Sequence, residues 1–328
     1  MAYLFTHFIG EQPQGEQIYF SLSKDGLHWK DLHDGKPVIC SEVGECGLRD
    51  PFLIRKADGS GFVIIATDLC IANGRGWDAA VKTGSKNLAV MESKDLIHWS
   101  KPVLVEVSVP EAGCTWAPEA IYDRQQDNYL VFWASMVQLD GDKEPKQRIY
   151  AARTKDFHEF TKAQVYLEKD NHVIDSTMVY DDGVYYRFSK DETTKNIKTD
   201  TAPDLNKESF TDRPVPNLEA IYGVEGPEIY YLEDQKKWCL IIDRFASHKG
   251  YLPLVCDSLK TMDFKPLDES EFDMGKTMKR HGSVVVITDE EYETLVDYAI
   301  EIGIENGFIQ EGNTAEESFI PAFDCEGV

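Results

Sequence analysis

Basic residues are scarce in this chain. Its 328 residues carry 34 Lys and Arg against 58 Asp and Glu, a formal charge of −24. So acidic a chain has no cationic footprint for nucleic acid or an anionic membrane surface, and it repels polyuronates. Neutral solutes remain as its natural ligands. Cysteine is sparse too: Cys40, Cys46, Cys70, Cys114, Cys239, Cys256 and Cys325 are scattered, with no C-x-x-C pair. That argues against a disulfide framework or a zinc site and for reduced thiols in a cytoplasm. No apolar run reaches the length of a membrane span, and Met1 to His7 lack the basic and long apolar segments of an export signal. A native chain of this kind is expected to be cytoplasmic. No linker or shift in composition calls for a second folded domain.

What the chain has in plenty is aromatics, 11% of all residues, and 23 glycines, a mixture that suits short strands joined by many turns. Laid against itself, the sequence repeats. One signature is a short strand opening on a polar residue: Arg49-Asp50-Pro51-Phe52, Trp116-Ala117-Pro118-Glu119, Ile174-Asp175-Ser176-Thr177, Glu225-Gly226-Pro227-Glu228 and Arg280-His281-Gly282-Ser283. A second closes each module with Ser/Thr-x-Asp and an aromatic soon after: Ser23-Lys24-Asp25 to Trp29, Ser93-Lys94-Asp95 to Trp99, Thr154-Lys155-Asp156 to Phe160. Asp204 to Phe210 and Asp257 to Phe264 are weaker copies. Apolar middle strands such as Phe62–Thr67 and Trp238–Asp243 lie between the two. Periods of 50 to 66 residues with several strands each predict an all-β, five-bladed β-propeller.

The order of the copies predicts how the ring closes. One closing signature precedes every opening strand, and the fifth opening strand, after Arg280, has no closing strand behind it. The N-terminal strands near residues 3–9 and 18–24 are therefore expected to complete the last blade, which removes the free sheet edges. The propeller would span 1–288. In 289–328, Tyr292, Leu295, Val296, Ala299 and Ile300 fall at helical spacing, so a short C-terminal helix and tail packed on the propeller are expected.

In a propeller the first strands line the central channel and all start on one face. Their opening residues should therefore converge, and three are carboxylates: Asp50, Asp175 and Glu225. Acids facing one another across a channel repel and resist desolvation, so a purely structural protein has little use for them. Glycosidic cleavage does. One carboxylic acid protonates the leaving oxygen while a carboxylate activates water on the other face of the sugar, and a third can tune the acid.

These residues resemble glycoside hydrolase family 43: Asp50-Pro51 in the first blade, Ile174-Asp175 with the Tyr180-Asp181-Asp182-Gly183 hairpin in the third, and Glu225-Gly226-Pro227-Glu228-Ile229-Tyr230 in the fourth. Trp116-Ala117-Pro118 also matches. The resemblance covers residues 1 to about 288. It implies an inverting five-bladed enzyme with Asp50 as general base, Glu225 as general acid and Asp175 as the residue that tunes the acid. His281 matches a channel histidine that helps hold a hydrated calcium ion, so calcium is an expected structural ion, and no organic cofactor is expected. The offset of Asp50 from the N-terminus departs from the family, and the blade count accounts for it. Arg-Asp-Pro also occurs in invertase-like furanosidases, but their Trp-x-Asn-Asp-Pro-Asn strand is missing here.

Each residue also has a plainer reading. Asp50-Pro51 and Glu225-Gly226-Pro227 are ordinary turn chemistry, Asp175 could be satisfied by local amides, and His281 could simply hydrogen-bond Asp175 or substrate. Trp116 and Glu119 are candidates for sugar contact, against a core aromatic and a rim acid. Arg187 and Arg244 are candidates to reach the pocket from middle strands, against plain salt bridges. Asp68 and Trp77 open a long first-blade loop expected to wall the pocket. The expected activity is exo-hydrolysis of terminal pentose, foremost α-L-arabinofuranose, from neutral plant-type hemicellulose oligosaccharides. β-Xylosidase or another furanosidase such as a galactofuranosidase is the enzymatic alternative, and a non-catalytic carbohydrate-binding propeller the other.

Overall fold

The structure is a computed structural model that describes residues 1–305, and it is a five-bladed β-propeller of five four-stranded antiparallel sheets. Blade I contains Leu48–Arg55, Phe62–Asp68, Asn87–Ser93 and Val103–Glu106. Blade II contains Trp116–Asp123, Asn128–Val137, Lys146–Thr154 and Gln164–Leu167. Blade III contains Val173–Asp181, Val184–Asp191, Asn196–Ala202 and Thr211–Asp212, and blade IV Glu225–Leu232, Lys237–Asp243, Tyr251–Cys256 and Lys265–Pro266. Blade V closes as expected. Gly282–Ile287 pairs with Ala2–His7, which leads to Tyr19–Ser23 and Lys30–Asp31.

The middle strands are apolar on both faces because each sheet is sandwiched between two others. In Phe62–Asp68 every residue is buried. Ile64 and Ala66 face the core shared with blade V, while Val63 and Ile65 face the core shared with blade II. The same division gives three more cores around the ring, so no single centre holds the fold. A strand buried on two sides loses alternation and reads as a continuous hydrophobic run.

The closing signature is one turn used three times. Asp25, Asp95 and Asp156 each accept two downstream backbone N–H bonds at 2.8–3.0 Å, and the Ser or Thr two residues before accepts others. Each turn then needs a left-handed residue, supplied by Gly26, Leu96 and Phe157. The Asp182-Gly183 hairpin has positive φ at both positions, as a type I′ turn requires.

The C-terminal helix, Asp289–Glu305, lays Tyr292, Leu295, Val296 and Ala299 on the core between blades V and I. It begins where the periodicity placed it. The tail from Asn313 onward lies outside the described residues. Among the described residues six cysteines are free thiols, and no helix is long and apolar enough to cross a membrane.

Candidate active site

Four of the five inner strands break register near the mouth of the channel. Pairing shifts between Arg49 and Phe52, Trp116 and Glu119, Ile174 and Ser176, and Glu225 and Glu228. At each bulge one residue is left-handed: Asp50 at φ 48°, Ala117 at 49°, Asp175 at 47° and Gly226 at 51°. A bulge turns a side chain out of the sheet's alternation. Asp50 and Asp175 occupy the bulge itself, whereas Glu225 and Trp116 stand one residue before it. The two Asp residues are held in a conformation most residues avoid, which is a form of strain common at functional sites.

The bulges open on a cavity of about 690 Å³ on one face of the ring, a size suited to a small ligand. Asp50, Trp116, Asp175, Glu225 and His281 all line it, together with Trp77, Arg49, Lys190, Glu192 and Arg280. His281 stands between the two Asp residues, its Nδ1 3.6 Å from Asp50 Oδ1 and 3.8 Å from Asp175 Oδ1. Thr67 fixes Asp50. Its hydroxyl donates to Asp50 Oδ2 at 2.8 Å and accepts the Ala117 N–H, also at 2.8 Å. Asp175 Oδ2 accepts the Gly226 N–H at 3.1 Å. A side chain at 226 could not be accommodated, because a Cβ there would lie 2.9 Å from the His281 ring on a left-handed backbone.

Glu225 is surrounded differently. Lys190 Nζ donates to its Oε2 at 2.7 Å and Arg280 Nη2 to its Oε1 at 2.8 Å, while Arg280 Nε also bonds Asp243 at 2.6 Å. Burial alone would push the Glu225 carboxyl up, but Lys190, Arg280 and His281 outweigh it and hold the group below the usual range. Asp175 goes the other way. Burial raises it to about 6, with Glu225 and Asp50 adding to the rise against the pull of His281 and Lys190.

Aromatic side chains wall the cavity on the blade I side. Trp77, on a short helix (Trp77–Thr83) in the long first-blade loop, meets Trp116 edge to face at 5.9 Å. Arg49 lies 5.0 Å from Trp77 and 4.5 Å from Phe8, and it pairs with buried Glu16 at 2.6 Å. Arg49, Lys190 and Arg280 at the cavity thus each have a carboxylate partner, so none of the three is a free cation for an anionic ligand.

Four sequence candidates do not line the cavity. Arg187 is buried in an ion pair with Asp200 at 2.9 Å and lies over the Phe210 ring at 4.0 Å. Arg244 donates to the carbonyls of Lys249, Gly250 and Tyr251 and pairs with Glu269 at 2.5 Å. Asp68 sits behind the wall, where it accepts the Glu45 N–H at 2.8 Å. Glu119 is buried deeper in the channel, and burial followed by the charge of Glu228 raises its carboxyl well above the usual range. For His281, Nδ1 is turned to two carboxylates, Asp50 and Asp175. Among the described residues no three His, Cys, Asp or Glu side chains form a coordinating group. Calcium takes six to eight oxygen ligands, so an ion beside His281 would be held mostly by water.

Sequence reasoning passed over Lys190 and Arg280. Alternation along Tyr186, Phe188 and Lys190 puts Lys190 on the face packed against blade IV, which is a signal for Lys190. Arg280 was visible only as the neighbour of His281.

A five-bladed propeller with three carboxylates and two indoles at the channel mouth has the make-up of a carbohydrate-processing domain. Comparison with known proteins agrees: a family model described as a probable glycosyl hydrolase domain, related to family 43, matches residues 1–293, and the chain belongs to this family. An α-L-arabinofuranosidase of Bifidobacterium longum subsp. longum is 28% identical over 326 residues, covering 85% of this chain and 30% of that protein. An α-L-arabinofuranosidase catalytic domain of family 62 from Coprinopsis cinerea superposes with a TM-score of 0.51 at 13% identity, over 74% of this chain and 75% of that one. An exo-β-1,3-galactanase from Phanerochaete chrysosporium superposes with a TM-score of 0.50 at 15% identity, over 70% of this chain and 53% of its own. The two structural likenesses are likenesses of fold. This chain spans under a third of the Bifidobacterium protein and about half of the galactanase.

Proposed function

We propose that this domain hydrolyses terminal α-L-arabinofuranosyl groups of neutral oligosaccharides with inversion at the anomeric carbon. The observation that carries the reading is the meeting of Asp50, Asp175 and Glu225, from three blades, in one cavity. Asp50, fixed by Thr67 and facing His281, is the base that takes a proton from the attacking water. Glu225, from blade IV, is the acid that protonates the leaving oxygen. Asp175 lies near both and tunes the acid; burial first, with the charges of Glu225 and Asp50 adding to it, raises its own proton affinity. Inversion needs acid and base far enough apart for a water, roughly 6.5–9.5 Å. Support for the pentofuranose comes from the Bifidobacterium relative named as an arabinofuranosidase. Support for a neutral sugar comes from the pairing of Arg49, Lys190 and Arg280 with carboxylates, which leaves none of them free for an anionic group, and from Trp77 and Trp116, whose faces suit the apolar side of a sugar ring.

The test is turnover of 4-nitrophenyl α-L-arabinofuranoside beside the β-D-xylopyranoside, β-D-galactopyranoside and β-D-galactofuranoside. Release from the arabinofuranoside at least tenfold above the others supports the reading. Tight sugar binding without turnover, or full activity in Glu225→Ala and Asp50→Asn, contradicts it.

A further inference from the structure

An acid must carry a proton, and Glu225 is held in the opposite state. Both its oxygens are taken by cations, Oε2 by Lys190 at 2.7 Å and Oε1 by Arg280 at 2.8 Å. Such charge-assisted bonds favour the carboxylate. Among the described residues, by contrast, the basic group within ion-pair distance of Asp175 is His281.

Lys190 has a second carboxylate beside it. Glu192 Oε2 is buried 2.6 Å from Lys190 Nζ and forms an ion pair with it. Its other oxygen is held by Lys195. Glu192 lines the cavity beside Phe245, whose ring centre is 4.6 Å from Lys190 Nζ. Lys190 therefore bridges two carboxylates, Glu225 at 2.7 Å and Glu192 at 2.6 Å. Release of Glu225 would leave Lys190 paired with Glu192, so the move strands no buried cation.

We propose that Lys190 is a positioning residue that lets go of Glu225 and keeps Glu192 when the glycosidic oxygen arrives, and so decides when Glu225 holds its proton. The proposal rests on Glu225 being the acid. With Lys190 on Glu192, Glu225 Oε2 takes a proton from solvent while Arg280 keeps Oε1. That proton goes to the leaving oxygen as the glycosidic bond breaks, and Asp50 returns one to solvent from the attacking water. Glu225 is again a carboxylate, which Lys190 can hold. The groups facing Glu225 are Lys190, Glu192 and Asp175 from blade III, Arg280 and His281 from the approach to blade V, and Asp50 from blade I. Asp243 and the Tyr251 hydroxyl lie behind them on blade IV. The depressed Glu225 and raised Asp175 carboxyls agree with this division.

The test that needs no substrate is ¹³C NMR of glutamate-labelled protein, with the Glu225 signal assigned by its loss in Glu225→Gln. In the wild type Glu225 should titrate below the ordinary glutamate range, and in Lys190→Met its midpoint should rise by about one pH unit or more, a tenfold change in proton affinity. An unchanged midpoint overturns the proposal. A second variant leaves the buried lysine in place. Glu192→Gln should lower kcat on 4-nitrophenyl α-L-arabinofuranoside about tenfold more than on the 2,4-dinitrophenyl glycoside, whose leaving group needs no proton. Equal losses on both overturn it. Failure of the acid assignment itself looks different: Glu225→Gln would then lose equally on the two substrates while the NMR shift in Lys190→Met persisted.

Discussion

Two layers of carboxyl groups share this channel, and their difference shows what the site is built to do. At the mouth, Asp50, Asp175 and Glu225 reach a cavity supplied with Lys190, Arg280 and His281. Deeper, two residues beyond the bulges of blades II and IV, Glu119 and Glu228 are buried with no basic group within ion-pair distance among the described residues. Glu228 accepts the Val284 N–H at 2.8 Å and the Thr177 hydroxyl at 3.2 Å, and burial pushes it up to about 8. The residue type is the same and the chemistry is not. Charges are kept where a reaction needs them, and neutral acids serve as packing and hydrogen-bonding groups below.

The strongest way to break this comparison is to neutralise the mouth. Asp50→Asn and Glu225→Gln should each lower kcat by about 10²–10⁴-fold on a 4-nitrophenyl glycoside, with the melting temperature kept. Loss of fold instead of turnover would make the mouth acids structural. Next comes a cation outside both layers. Arg187→Met leaves buried Asp200 with Lys169 as its remaining cation, so unfolding should become easier by about 1–3 kcal/mol in urea while activity per folded molecule is kept. A selective activity loss would restore Arg187 to the site.

The deep layer should report through pH. The Glu228 carboxyl is raised in the folded protein, from 4.5 to about 8, so the native state binds the extra proton. Its contribution to stability is present below about 4.5 and is lost as pH rises through 8. The wild-type melting temperature should therefore fall more steeply from pH 5 to 8 than that of Glu228→Gln, measured by calorimetry. Parallel curves would mean that Glu228 is not neutral in the fold. The smallest effect expected is at the wall. Trp77→Ala should raise KM about 2–10-fold with kcat nearly kept, the scale of one aromatic contact.

The fold was legible because its signals are local. The Ser-x-Asp turn closes through hydrogen bonds within a few residues, and middle strands buried on two faces read as apolar runs wherever they occur. Asp50, Asp175, Glu225, Trp116 and His281 were legible for the same reason, since each opens a strand beside a turn residue. What the sequence hid depends on packing between blades. The bulges shift Glu225 one residue away from the position that Asp50 and Asp175 occupy, and no local pattern marks that offset. Arg187 and Lys190 lie on one strand, three residues apart and so on opposite faces. One face meets Asp200, the other Glu225, and only the assembled ring distinguishes them.

The most direct test of the account is the configuration of the first-formed product, followed by ¹H NMR during hydrolysis of 4-nitrophenyl α-L-arabinofuranoside. The roles proposed for Asp50 as base and Glu225 as acid predict that β-L-arabinofuranose appears first and then mutarotates. Initial α product would mean that a carboxylate attacks the sugar directly, and would contradict the roles given to Asp50 and Glu225.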